Sequence, residues 1–120
     1  LIIGSDDEAL EDILRDMKKF TSKAIIKAIE ENQQESRKEW MLWMFERAGQ
    51  RNSNNTKYQF WQQHNQPEVL NSKYAVEQKL NYIHNNPAKT GFVDNPTNYP
   101  YSSAIDYADG KGLVKVTLTG

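Results

Sequence analysis

Four residues in the second half of the chain have types and spacing that suit chemistry on phosphorus. Gln78, Tyr82 and Asn86 follow one another at i, i+4 and i+8, and Lys79 stands three residues before Tyr82. In a helix, a rotation of about 100° per residue gathers these side chains on one face, roughly opposite Val76, Leu80 and Ile83. A phenol in that setting attacks phosphorus when a base, a cation or a metal stabilises the phenolate. The amide oxygen of Asn86 is of a type that ligates a hard cation such as Mg2+. The same pattern also describes a half-buried tyrosine whose hydroxyl finds an ordinary partner. Residue types and spacing leave both readings open.

The remaining reactive groups are few. His64 and His84 are the two histidines, and there is no cysteine. The histidines stand too far apart in sequence for a paired-ligand motif. His84 lies two residues past Tyr82, about 200° around a helix, so a structural role is expected for it; His64 falls in a polar loop. Without cysteine there are no disulfides and no thiolate metal sites, which fits a reducing cytoplasm. Lys18, Lys19, Lys23 and Lys27 form a basic run, either a phosphate path or a plain solvated face. Trp40, Trp43, Phe60 and Trp61 are candidates for stacking on unpaired bases, with core packing the expected role for most of them.

These residues need elements to position them. Ser5-Asp6-Asp7-Glu8 has the form of a capping box, and apolar residues recur at helical spacing through Leu10, Ile13, Leu14, Met17, Ala24, Ile25, Ala28 and Ile29. A helix is predicted over residues 6–32. Ser36 with Glu39 predicts a second helix over 36–48, carrying the apolar run Trp40 to Phe45 and ending near Gly49. Six large apolar residues in a row cover more than one helical face, so this segment is expected to be buried on several sides or to meet another chain. The alternation Tyr58-Gln59-Phe60-Trp61-Gln62 predicts a short strand. Asn71 or Ser72 caps a third helix over 72–86, which Pro87 is expected to end by pushing its predecessor out of the helical region. A turn-rich tail occupies 87–120, in which Leu113 to Leu118 alternates like an edge strand. Leu1-Ile2-Ile3 reads as the end of a strand, a remnant over residues 1–4.

Residues 79–103 read Lys-Leu-Asn-Tyr-Ile-His-Asn-Asn-Pro-Ala-Lys-Thr-Gly-Phe-Val-Asp-Asn-Pro-Thr-Asn-Tyr-Pro-Tyr-Ser-Ser. This segment resembles the signature of the REP-associated tyrosine transposases, single-tyrosine enzymes of the IS200-like group. Their Tyr-Ile-x-x-Asn-Pro-Val-x-x-Gly-Leu-Val core is similar to Tyr82-Ile83, Asn86-Pro87, Gly91 and Val93. Their Tyr-Pro-Trp-Ser-Ser box is similar to Tyr99-Pro100 and Ser102-Ser103. Ala88, Phe92 and Tyr101 replace the usual Val, Leu and Trp. The lysine-rich segment Met17 to Lys23 and the aromatic Tyr58 to Gln62 also resemble family segments, so the likeness runs over residues 1–107.

The resemblance implies Tyr82 as a nucleophile on single-stranded or hairpin-tipped DNA, giving a 5′-phosphotyrosine and a free 3′-hydroxyl. It implies Asn86 near a metal, and Lys18, Lys19, Lys23 and Lys79 as phosphate contacts. The family uses Mg2+ or Mn2+ held by a His-hydrophobic-His motif, which this chain lacks. That motif commonly runs on into residues like Leu1-Ile2-Ile3, so both histidines are expected just before residue 1, and the chain is expected to bind no metal and to cleave no DNA alone. The implied fold is α+β: three principal helices plus short strands of a ferredoxin-like antiparallel sheet. Deprived of the upstream strands, such a piece exposes apolar surface and is expected to self-associate.

Charge frames these expectations. The net charge is −1, unlike a strongly basic DNA-binding module. Residues 1–36 carry 5 bases and 9 acids, residues 37–120 carry 10 bases and 7 acids, so a DNA contact is expected to favour the second part. No apolar run approaches the ~18 residues that span a bilayer, and no membrane partner is expected. The rival reading is a helical DNA-binding or self-association module without catalysis.

Overall fold

A computed structural model describes residues 1–51, 57–63 and 65–119. Two compact units divide it: residues 3–66, and residues 67–120 together with 1–2. Among the described residues, four helices and one 3-10 turn make up the regular structure: α1 Leu10–Glu31, α2 Lys38–Gln50, α3 Lys73–Lys89, the 3-10 turn Pro96–Asn98 and α4 Ala104–Tyr107. There is no strand among the described residues. The predicted α+β class and its ferredoxin-like sheet are therefore corrected to a mainly helical class.

Each expected strand fails for a physical reason. Alternation specifies a strand only where a second strand offers a ladder. In 58–62 the aromatic side chains pack on helices instead. Phe60 tilts against Phe45 with ring centroids 5.2 Å apart, and Trp61 lies edge-on to Phe60 at 5.1 Å. The indole N–H of Trp61 donates to Thr21 Oγ1 at 2.9 Å, and the Gln59 N–H donates to the Phe45 carbonyl at 3.0 Å. Residues 113–118 and 1–4 have no ladder partner among the described residues, and Leu1, Ile3, Leu113, Val114 and Leu118 are exposed.

In the first unit, α1 and α2 pack together. The buried face of α1 runs through Ile13, Leu14, Met17, Thr21, Ser22, Ile26 and Ile29; Leu10, Ala24, Ile25 and Ala28 are exposed. The capping box forms only in part. Ser5 Oγ accepts from the Glu8 N–H at 3.0 Å, but the helix starts later, with the Asp12 and Ile13 N–H groups bonded to the Ala9 carbonyl. Glu35, not Ser36, organises the entry to α2. Its carboxylate accepts from the Arg37 N–H at 2.9 Å and the Arg37 Nε at 3.2 Å. These bonds, the backbone one foremost, hold its pKa below the usual carboxylate value. Gly49 does not end α2; it is buried within it. A Cβ there would collide with the Lys57 carbonyl and lie 3.1 Å from the Tyr58 carbonyl carbon. Glycine is required because the returning chain crosses the helix at that point.

The second unit is built on α3. Ser72 caps it as expected, its Oγ accepting from the Ala75 N–H at 3.1 Å. Pro87 lies inside the last turn rather than ending the helix. Its lost N–H removes one rung of the ladder, and the turn closes beyond it. The Gly91 N–H donates to the Ala88 carbonyl at 3.1 Å and the Phe92 N–H to the Pro87 carbonyl at 2.9 Å. Gly91 has φ 84°. This is a Schellman ending, and the positive φ needs glycine. The 3-10 turn then packs on α3 and contacts α4.

Apolar burial is slight in both units. Among the described residues, Ile26 and Ala104 are the buried hydrophobic ones, and no side chain is fully enclosed. Two separately compact units of half the chain's mass would together expose about 8,000 Å2; the accessible surface is 10072 Å2.

Candidate functional site

The ends of α3 are fixed by Ser72 and by Gly91, and one of its faces packs against the 3-10 turn. Ala75, Val76, Lys79, Leu80, Ile83, His84, Pro87 and Ala88 form its half-buried face; Gln78, Tyr82 and Asn86 stand on the exposed face. Spacing alone brings these three together, as the sequence predicts. Tyr82 is 65% exposed, and its hydroxyl has no hydrogen-bond partner among the described residues. The Asn86 backbone carbonyl accepts from the Thr90 N–H at 3.0 Å and the Thr90 hydroxyl at 2.9 Å, while its side chain is exposed.

The lysines are placed less simply. Lys79 is half-buried, and its ammonium is paired with Glu68 at 2.5 Å; it is not a free cation beside the phenol. Lys18, in the first unit, donates to the Gln62 carbonyl at 3.0 Å and to Asn65 Oδ1 at 2.5 Å. That amine ties a loop to α1. Lys19 and Lys23 are exposed, and Lys27 lies 3.8 Å from Glu31. His64 lies outside the described residues.

His84 takes the structural place expected of it. Its Nε2 is 2.9 Å from Ser103 Oγ, and its ring centroid is 5.1 Å from that of Tyr107. Burial pushes the imidazole pKa below its ordinary value, since desolvation disfavours the charged ring. The Tyr107 hydroxyl in turn accepts from the Thr119 N–H at 2.8 Å. Glu77, Leu80, Asn81, His84, Tyr107 and Thr119 line a cleft that does not include Tyr82. Sequence reasoning missed this cluster, whose members are up to 42 residues apart.

Compared with protein-family models, curated proteins and solved structures, the chain matches none.

Several residues of the transposase-like segment have local structural duties. Pro87 and Gly91 shape the end of α3, Asn95 caps the 3-10 turn through the Thr97 N–H at 3.0 Å, and Ser102 Oγ accepts from the Ala104 N–H at 3.2 Å. Tyr82 and Asn86 have no such duty for their side chains among the described residues. Tyr101 is 78% exposed and touches Tyr99 edge-on, with ring centroids 5.7 Å apart. Phe92, 76% exposed, completes a row with Tyr99 at 6.4 Å.

Among the described residues, the donors around Tyr82 do not make up a ligand set for a divalent metal. No group of three or more His, Asp or Glu side chains among the described residues is arranged to hold one. His84 Nε2 already faces Ser103, and Asn86 offers one exposed amide. No helix among the described residues is long and apolar enough to cross a membrane.

Proposed function

We propose that the chain carries the nucleophile of a single-tyrosine DNA transposase, with Tyr82 attacking a phosphodiester of single-stranded or hairpin DNA. The observation that carries this reading is an exposed phenol without a hydrogen-bond partner among the described residues, between the exposed amides of Gln78 and Asn86 on a helix capped at both ends. A tyrosine held only for packing is ordinarily half-buried with its hydroxyl partnered. In the step, Tyr82 Oη bonds to phosphorus and the phosphorus–O3′ bond breaks. The phenol proton goes to solvent or base, and the departing 3′ oxygen takes one up. A cytoplasmic location goes with this reading, since that is where a DNA substrate would be met. With Lys79 and Lys18 bonded within their own units, Lys19 and Lys23 are the members of the lysine set left for phosphate.

The test is covalent adduct formation on a hairpin-tipped oligonucleotide, using the protein in its native reading frame with whatever the gene encodes upstream of Leu1. Tyr82→Phe is expected to abolish the denaturation-resistant adduct while the helical circular dichroism stays unchanged. Normal adduct from the Phe protein sinks the assignment.

A second reading, a non-catalytic helical module that self-associates, is favoured by α2. Trp40 is 56% and Trp43 52% exposed, beside exposed Met44. It predicts a concentration-dependent rise in mass by light scattering and no adduct with any DNA.

A further inference from the structure

If Tyr82 attacks a phosphodiester, its own unit needs a means of gripping the strand. Charge is a poor means here. Residues 67–119 carry five bases (Lys73, Lys79, Lys89, Lys111, Lys115) and five acids (Glu68, Glu77, Asp94, Asp106, Asp109). Lys79 is paired with Glu68, and Lys73 lies 4.0 Å from Glu77. A unit with so little free positive charge releases few counterions on binding a polyanion. What it does display is aromatic surface.

Phe92, Tyr99 and Tyr101 form a row in ring contact, yet the two outer rings are among the most exposed side chains of the unit. Exposure here does not reflect a loose chain. Phe92 comes directly after the left-handed Gly91, and its own N–H is bonded to the Pro87 carbonyl. Tyr99 leaves the 3-10 turn, with its N–H on the Pro96 carbonyl at 3.3 Å and the turn fixed by Asn95. The rings are tilted by 39° and 79° relative to one another, so they do not close into a flush apolar patch and the outer ones keep open faces. Separate π faces on a fixed backbone suit flat heterocycles, each of which stacks independently of sequence.

We propose that Phe92 and Tyr101 are stacking surfaces for unpaired bases of the DNA strand, with Tyr99 as the support between them. The proposal rests on the Tyr82 reading for its choice of ligand, but its test does not depend on catalysis.

The experiment compares a labelled oligothymidylate with an abasic strand of equal length by fluorescence anisotropy. The full chain should bind the oligothymidylate more tightly, on the order of tenfold per stacked base, with weak salt dependence. Phe92→Ala/Tyr101→Ala should lose that preference, Phe92→Trp/Tyr101→Trp should keep it, and Tyr82→Phe should keep it too. The outer rings are exposed, so helical circular dichroism should be the same for all. Equal binding of both strands, or of neither, overturns the proposal. So does a preference that survives the double alanine change, or one that tracks Trp40→Ala/Trp43→Ala instead. A double alanine change that lowers the mass in light scattering and spares DNA binding assigns the row to contact between copies, and also overturns it. An adduct that survives Tyr82→Phe, with the stacking preference intact, counts against the Tyr82 reading alone.

Discussion

The pair α1 and α2 rests on side-chain contact, whereas the unit around α3 rests on hydrogen-bonded chain reversals. In the first unit Ile26 is buried between helices, and Phe45, Phe60 and Trp61 stack in sequence over Thr21. In the second unit the buried hydrophobic residue is Ala104, and order comes from Ser72, Gly91, Asn95 and Ser102 at the ends of short elements. The lesson is that a small unit with little core can still fix a side chain's direction. Caps set where a helix begins and ends, and the helical repeat does the rest. Such a unit presents Tyr82, Phe92 and Tyr101 outward without needing to bury them.

The difference can be broken one unit at a time. The largest effect is expected from Gly49→Ala, where the new methyl meets the Lys57 carbonyl, an atom of backbone that cannot swing aside. A loss of about 2–3 kcal/mol is expected. All three tryptophans (Trp40, Trp43, Trp61) lie in the first unit, so urea unfolding monitored by tryptophan fluorescence should shift to lower denaturant. Next comes Gly91→Ala, which forces a side chain into the left-handed region at φ 84° and should cost about 1–2 kcal/mol. It should weaken amide-exchange protection at the end of α3 and leave the tryptophan transition in place. A shift of that transition by Gly91→Ala would mean that the two units do not melt separately.

The smallest effect is a pH dependence confined to the second unit. His84 has its pKa lowered by burial, so the unfolded chain binds the proton more readily than the folded one. The stability contributed by neutral His84 is complete above the ordinary imidazole value, about 6.5. It is lost as pH falls through the depressed value in the folded state. Observing the His84 ring by NMR while α3 amides are monitored should show a titration below that ordinary value, with protection falling alongside. Unchanged protection through the titration would show that burial of the His84 ring contributes no pH-dependent stability to the unit.

The reach of residue order depends on range. Ser72 as a cap, the shared exposed face of Gln78, Tyr82 and Asn86, and the opposite face of Val76, Leu80 and Ile83 depend on neighbours within two turns, and all are legible in the sequence. A proline rule applied to Pro87 alone misplaces the end of α3, because Gly91 four residues later supplies an ending that makes one lost rung tolerable. The strands expected at 58–62 and 113–118 do not form because period-2 alternation says which side chains share a side, not whether another strand is there to receive the backbone. Gly49 resembles a helix stop because the chain that crosses it, at Lys57 and Tyr58, is invisible in local sequence. The outer rings of the aromatic row, Phe92 and Tyr101, are present in the sequence only as replacements within a resemblance, their exposure unreadable until Gly91 and Asn95 have fixed the backbone. Lys79, expected on the face of Tyr82, lies instead on the half-buried face of α3 and acquires Glu68 as a partner eleven residues away, a contact no helical spacing announces.

The lysine tie in the first unit also bears on the order in which the chain comes together. Lys18 and Asn65 are 47 residues apart, whereas His84 and Ser103 are 19 apart. Closing the longer span costs about 0.8 kcal/mol more in chain entropy, before anything is gained from the bond itself. On that ground alone the His84–Ser103 contact is expected to close before the Lys18 tie.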